Sequence, residues 1–184
     1  MNNAKLPLLL ALIAPLAAGC GSDPAVSYSA PVAISFNNIK PGTSNAILES
    51  KSITSPSGNP WGKFLNDAKA RLGRDPSRIV VIGAAIELLA STGFTGLQDV
   101  FTGPVSVSFL VTPRPYQLAG VTSPTTAGPV PMAIVFGTFD SATMAAGDYA
   151  SLLGSSFSVV LAGTAPTAAT GANIQTTFTF VAYP

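Results

Sequence analysis

IQTTFTFVA, residues 174–182, is the stretch on which the fold turns. Ile174, Thr176, Phe178 and Phe180 are spaced by two, with Thr177, Thr179 and Val181 between them. Side chains alternate across a strand, so this period describes a β-strand with one face in a core. VSVSFLV at 105–111 repeats the pattern, with Val105, Val107, Phe109 and Val111 on one face. VAISFNNI at 32–39 begins the same way through Val32, Ile34 and Phe36.

Working outward, other strand-length runs are RIVVIGAAIELLA (78–90), MAIVFGTF (132–139) and FSVVLA (157–162). Gly83 marks a bulge or bend in the first of these. Residues 43–54 have no clean period, and Ala46–Ile53 is their strand-length run. Leu97–Phe101 has the length of one helical turn. Residues 112–131 hold five prolines and several Gly and Thr, which reads as a long loop or edge crossing. Asp140–Gly154 reads as a loop with a short helix near Tyr149–Leu153.

One helix is clearly marked. Asn59 is a good N-cap, Pro60 suits the first helical position, and Gly73 suits the C′ position. Phe64, Leu65, Ala68 and Leu72 share a face, while Lys63, Asn66, Asp67, Lys69 and Arg71 lie largely on the others. Trp61–Leu72 is therefore an amphipathic helix of about three turns that packs across an edge or end of a sheet.

Six to eight short strands between Gly/Pro/Ser loops, without strand–helix alternation, favour an antiparallel β-sandwich, immunoglobulin-like, with one short helix. The expected core is Phe36, Val80, Ile82, Ile86, Leu88, Val107, Phe109, Ile134, Phe136, Val160, Phe178 and Phe180. No internal repeat or second domain boundary is visible.

The chain of 184 residues is 47% hydrophobic and only 9% charged, against roughly 25% charged in typical soluble domains. Ser, Thr, Gly and Pro interrupt the apolar stretches, so the surface is neutral and hydroxyl-rich. The side chains after residue 19 carry eight basic and eight acidic groups. Lys63, Lys69, Arg71, Arg74 and Arg78 are interleaved with Asp67 and Asp75. Nucleic-acid binding needs concentrated positive charge, so it is set aside.

The N-terminus reads MNNAKLPLLLALIAPLAAG, residues 1–19. Lys5 forms a positive n-region, Leu6–Leu16 a short apolar run, and Ala17, Ala18 and Gly19 the small residues before a cleavage point. This is the layout of a secretory signal; a span needs about 20 apolar residues. L-A-A-G-C, from Leu16 to Cys20, resembles the lipobox of bacterial lipoproteins, with Ala17 where Leu is usual. The resemblance implies cleavage before Cys20, diacylglycerol on its thiol, and two or three acyl chains as the membrane anchor. Gly21, where Asp would favour inner-membrane retention, implies the outer membrane. Residues 20–31 read as a flexible tether and 32–184 as one sandwich domain. The alternative is an ordinary secreted protein with Cys20 a free thiol. Cys20 is the only cysteine, so no internal disulfide forms.

Histidine is absent, which removes Ser-His-Asp and Cys-His catalysis and the commonest transition-metal ligand. No G-x-S-x-G, S-x-x-K or phosphate-loop pattern occurs. No metal or cofactor is expected, and the chain reads as a non-enzyme. A carboxylate-dependent hydrolase, needing two facing carboxylates, is the distant outsider. Four residues are candidates for binding. Trp61 anchors the helix in the core or contacts a ligand. Glu87 faces solvent, pairs with Arg78 or Arg114, or serves a function. Tyr116 and Arg114 lie in the Pro-rich stretch, the best exposed contact region. The expected roles are a scaffold with an envelope protein partner, or a module for a small apolar or carbohydrate ligand in a pocket with Glu87 or Trp61 at its rim. GSSFSVVLAG at 154–163 followed by 174–182 loosely resembles the last hairpin of immunoglobulin-like or late-embryogenesis-type lipoprotein sandwiches, and implies no site residue.

Overall fold

The computed structural model describes residues 26–135, 140–166 and 171–184. Among the described residues, nine strands form two antiparallel sheets: β1 (Tyr28–Ile39), β2 (Ala46–Ile53), β3 (Arg78–Leu88), β4 (Pro104–Val111), β5 (Arg114–Thr122), β6 (Val130–Pro131), β7 (Ala133–Ile134), β8 (Phe157–Thr164) and β9 (Ala172–Tyr183). One sheet has the order β1-β9-β3-β6, the other β2-β8-β4-β5-β7. Helix α1 (Pro60–Leu72) lies between β2 and β3, and helix α2 (Ala146–Leu153) between β7 and β8.

The pairing follows a folded ribbon. β4 pairs with β5, β3 with β6, β2 with β8 and β1 with β9, so successive rungs close around the β4–β5 tip. The ribbon rolls until β9 meets β3 and β8 meets β4. This is a double-sheet jelly-roll order. The β-sandwich expectation holds, whereas the immunoglobulin-like connectivity does not: first and last strands are neighbours here. β8 and β9 fall in opposite sheets, so they are not a hairpin. Between the sheets, Met132 is buried at the corner where the chain passes from β6 to β7, and its N–H donates to Ala84 O at 2.9 Å.

The alternating runs pack as their period requires. Val32, Ile34 and Phe36 of β1, Val105, Val107, Phe109 and Val111 of β4, and Ile174, Thr176, Phe178 and Phe180 of β9 all point inward. Thr176 places its hydroxyl on Ile34 O at 3.4 Å.

β3 departs from the expectation. Val81 is opposite Phe180 and Gly83 opposite Thr179, so β3 carries one extra residue, Ile82, as a bulge. A bulge inverts the parity of the strand. Ile79, Val81 and Ile86 are buried, while Val80 is only half-buried and Ile82 is 57% exposed. Val80 and Ile82 are thus not core residues. Val160 is also excluded: Phe157, Val159 and Leu161 are the inward residues of β8. Leu88 and Ile134 are half-buried against the core, and Phe136 lies outside the described residues.

Two boundaries also move. Tyr28–Pro31, expected in the tether, pairs with β9. Residues 114–122, expected in a loop, form β5 and pair with β4 through the two-residue turn Thr112-Pro113. Pro115 lies opposite Leu110 of β4, and among the described residues β7 pairs with β5 only at Ala119 and Gly120. Of the expected strand at 132–139, Ala133–Ile134 is β7 and residues 136–139 lie outside the described residues.

α1 starts and stops where its caps require. Asn59 Oδ1 accepts from Gly62 N at 2.8 Å, and Gly73 closes the helix at φ 73°. Phe64, Leu65, Ala68 and Leu72 are buried, as is Trp61. Trp61 lies 5.2–5.5 Å, centroid to centroid, from Phe64, Phe109, Phe157 and Phe180. α1 thereby plugs one end of the sandwich with an aromatic cluster.

Candidate functional site

Arg114 and Tyr116 are two apart on β5, so they share a face. Both reach Asp148, in the first turn of α2. Arg114 Nη1 donates to Asp148 Oδ2 at 2.8 Å and Tyr116 OH donates to the same oxygen at 2.5 Å. These bonds hold the Asp148 carboxyl below the usual carboxylate range, Tyr116 contributing most. Desolvation, then Asp148, raises the Tyr116 phenol, and the bond to Asp148 raises the Arg114 guanidinium.

The arrangement clips α2 to the β4–β5 hairpin. Two further bonds fix α2: Trp61 Nε1 donates to Leu152 O at 2.9 Å, and Tyr149 OH to Pro76 O at 2.5 Å. Asp148 was invisible in sequence as a partner. Its one local signal is an acid in a helical first turn, which favours the helix but names no cation.

Glu87 sits elsewhere, on the outer face of the β1-β9-β3-β6 sheet. Gln175 Nε2 donates to Glu87 Oε1 at 2.7 Å, and Ser35 Oγ donates to Gln175 Oε1 at 3.4 Å. Neither anticipated ion pair forms. Arg78 Nε bonds Asp140 Oδ1 and Oδ2 at 2.9 and 3.1 Å, and Arg114 bonds Asp148. Ala85, Ile86, Glu87, Pro129 and Thr177 line an open hollow of about 270 Å³. Its lining is mainly apolar, and Glu87 and Thr177 are its polar residues.

The four candidates are therefore not one site. Arg114 and Tyr116 come together, Glu87 lines a separate hollow, and Trp61, 1% exposed, is at no rim. Cys20 lies outside the described residues. Among the described residues, no group of three or more His, Cys, Asp and Glu side chains is placed to hold a metal ion. Among them also, no helix is long and apolar enough to cross a membrane.

By fold, the chain is a two-sheet antiparallel β-sandwich. No protein-family model and no curated protein matches it. Among solved structures, a chain from Desmodium yellow mottle tymovirus is similar, at 11% identity and a TM-score of 0.33, over 98% of this chain and 95% of that one. At that score the likeness carries no functional weight, and the sandwich description rests on this chain's own strand pairing.

Proposed function

We propose that this chain is a lipid-anchored protein of the bacterial cell envelope, its sandwich a non-catalytic binding or scaffolding module held at the outer membrane by Cys20. The observation that carries the reading is the run L-A-A-G-C at 16–20, preceded by a charged n-region and a short apolar segment. The position of the first strand agrees with it. β1 begins at Tyr28, so seven residues, Gly21 to Ser27, separate the proposed anchor from the sheet. Fully extended, such a segment spans at most about 25 Å, which would keep the domain close to the bilayer.

Intact mass of the protein extracted from membranes, beside a Cys20→Ala form, tests this. The expected mature chain begins at residue 20 and carries two or three acyl groups, while Cys20→Ala stays unprocessed. An unmodified, soluble wild type overturns the anchor and makes Cys20 a free thiol.

The Glu87 hollow favours a second reading, a module for a small carbohydrate. An amide-braced carboxylate over an apolar floor offers hydroxyl acceptors beside a surface for a sugar's C–H face. Thermal stabilisation by millimolar mono- and disaccharides, lost in Glu87→Ala, would support it. A flat response across the panel removes it, because a ligand at 100 times its Kd stabilises by about 2.7 kcal/mol.

A further inference from the structure

We propose that β2 is a self-complementary docking edge, through which two copies of this chain pair antiparallel about Ser50. Among the described residues, β2 pairs only with β8 and no strand covers its other side. Ile47 and Ile53 are buried, 1% and 2% exposed, and between them Glu49 and Lys51 point to the same face. Leu48, on the opposite face, is 72% exposed, one of three large hydrophobic side chains so exposed among the described residues.

Charged side chains on an edge strand oppose indiscriminate pairing. Here the order of the charges permits one arrangement. The inward face of β2 reads Ile47, Glu49, Lys51, Ile53, and reversing the strand about Ser50 sets Glu49 opposite the second copy's Lys51, twice by symmetry. Ile47 then faces the second copy's Ile53. Centring the pair on Glu49 or on Lys51 instead opposes two like charges, which is unfavourable for directly facing residues. A two-fold axis at Ser50 keeps both inner faces on the same side, so the two five-stranded sheets become one. It also brings Leu48 beside Ser52 of the other copy and reduces its exposure.

The charges are already placed at this edge. Glu49 Oε1 accepts from Lys40 N at 3.1 Å, and Lys51 Nζ donates to Ser35 O at 3.1 Å. Such edge pairing with a two-fold axis is isologous and closes on itself, giving a dimer rather than a fibre.

Cysteine trapping in the full-length protein, in native membranes, tests the register. Facing residues in an antiparallel pair are about 4.5–5.5 Å apart at Cα, within disulfide range. Ser50→Cys should give a disulfide-linked dimer under mild oxidation. Ser52→Cys should not, because two such residues would lie four positions apart along the strands, about 14 Å. The parent chain controls for Cys20. Adding Glu49→Lys or Lys51→Glu to Ser50→Cys should lower the dimer yield at least tenfold, and adding both should restore it. Ser50 and Ser52 are exposed, so neither cysteine disturbs the core. The proposal fails if Ser50→Cys does not cross-link, if Ser52→Cys cross-links equally, or if either single reversal leaves the yield unchanged.

Discussion

Trp61→Ala is the sharpest test of how this sandwich is closed. The indole is 1% exposed and ringed by four phenylalanines. A buried Trp removes about 150–250 Å² from water. At about 25 cal/mol per Å² that is about 4–6 kcal/mol, an upper bound because the unfolded chain is itself partly collapsed. The indole N–H bond to Leu152 O adds about 1 kcal/mol. Its loss does not orphan the carbonyl, which also accepts from Ser155 N at 3.1 Å. Measured Trp→Ala changes in cores run about 3–5 kcal/mol, so about 4 kcal/mol is expected here, and about 1–2 kcal/mol for Trp61→Phe. For a domain of this size about 4 kcal/mol lowers Tm by roughly 8–16 °C. Urea unfolding followed by far-ultraviolet circular dichroism measures it, since Trp61 is the only tryptophan and the variant loses that fluorophore. The wild type should show blue-shifted, quencher-resistant emission. A cost below about 1 kcal/mol, or emission quenched freely by iodide, would falsify the placement of Trp61 as the plug.

Three further outcomes are expected. Gly62→Ala should destabilise by about 1–3 kcal/mol, although alanine favours a helix by about 1 kcal/mol, because its Cβ would lie 2.2 Å from Pro56 O; an unchanged or higher urea midpoint refutes the close approach. Ile82→Ser should stay within about 0.5 kcal/mol of wild type while Ile79→Ala costs about 2–5 kcal/mol, and equal costs would remove the bulge. The Asp99, Asp140 and Asp148 carboxyls are all held below their ordinary value. The stability they contribute is therefore present above the unfolded carboxyl value near 3.9 and is lost as pH falls through the lower folded values. Urea midpoints between pH 2 and 5 should fall with acid, less steeply in Asp148→Asn, and parallel curves would count against the clip.

What the sequence determined by itself was the local chemistry. Alternation specified the inward faces of β4, β9 and the first half of β1, since a period of two has one structural meaning. Asn59, Pro60 and Gly73 specified α1, because caps satisfy backbone groups within a few residues. Gly83 signalled an irregularity in β3, but not which residue bulges out. That depends on the register against β9, roughly a hundred residues away, and the resulting change of parity moved Val80 and Ile82 out of the core. Tertiary structure alone decided which strands share a sheet, a matter of non-local hydrogen bonding. It also made residues 114–122 a strand, because they pair with β4 across the turn at Thr112-Pro113. Arg114, Tyr116 and Asp148 meet for the same reason: a side chain thirty residues distant becomes a partner only once the hairpin and α2 are packed.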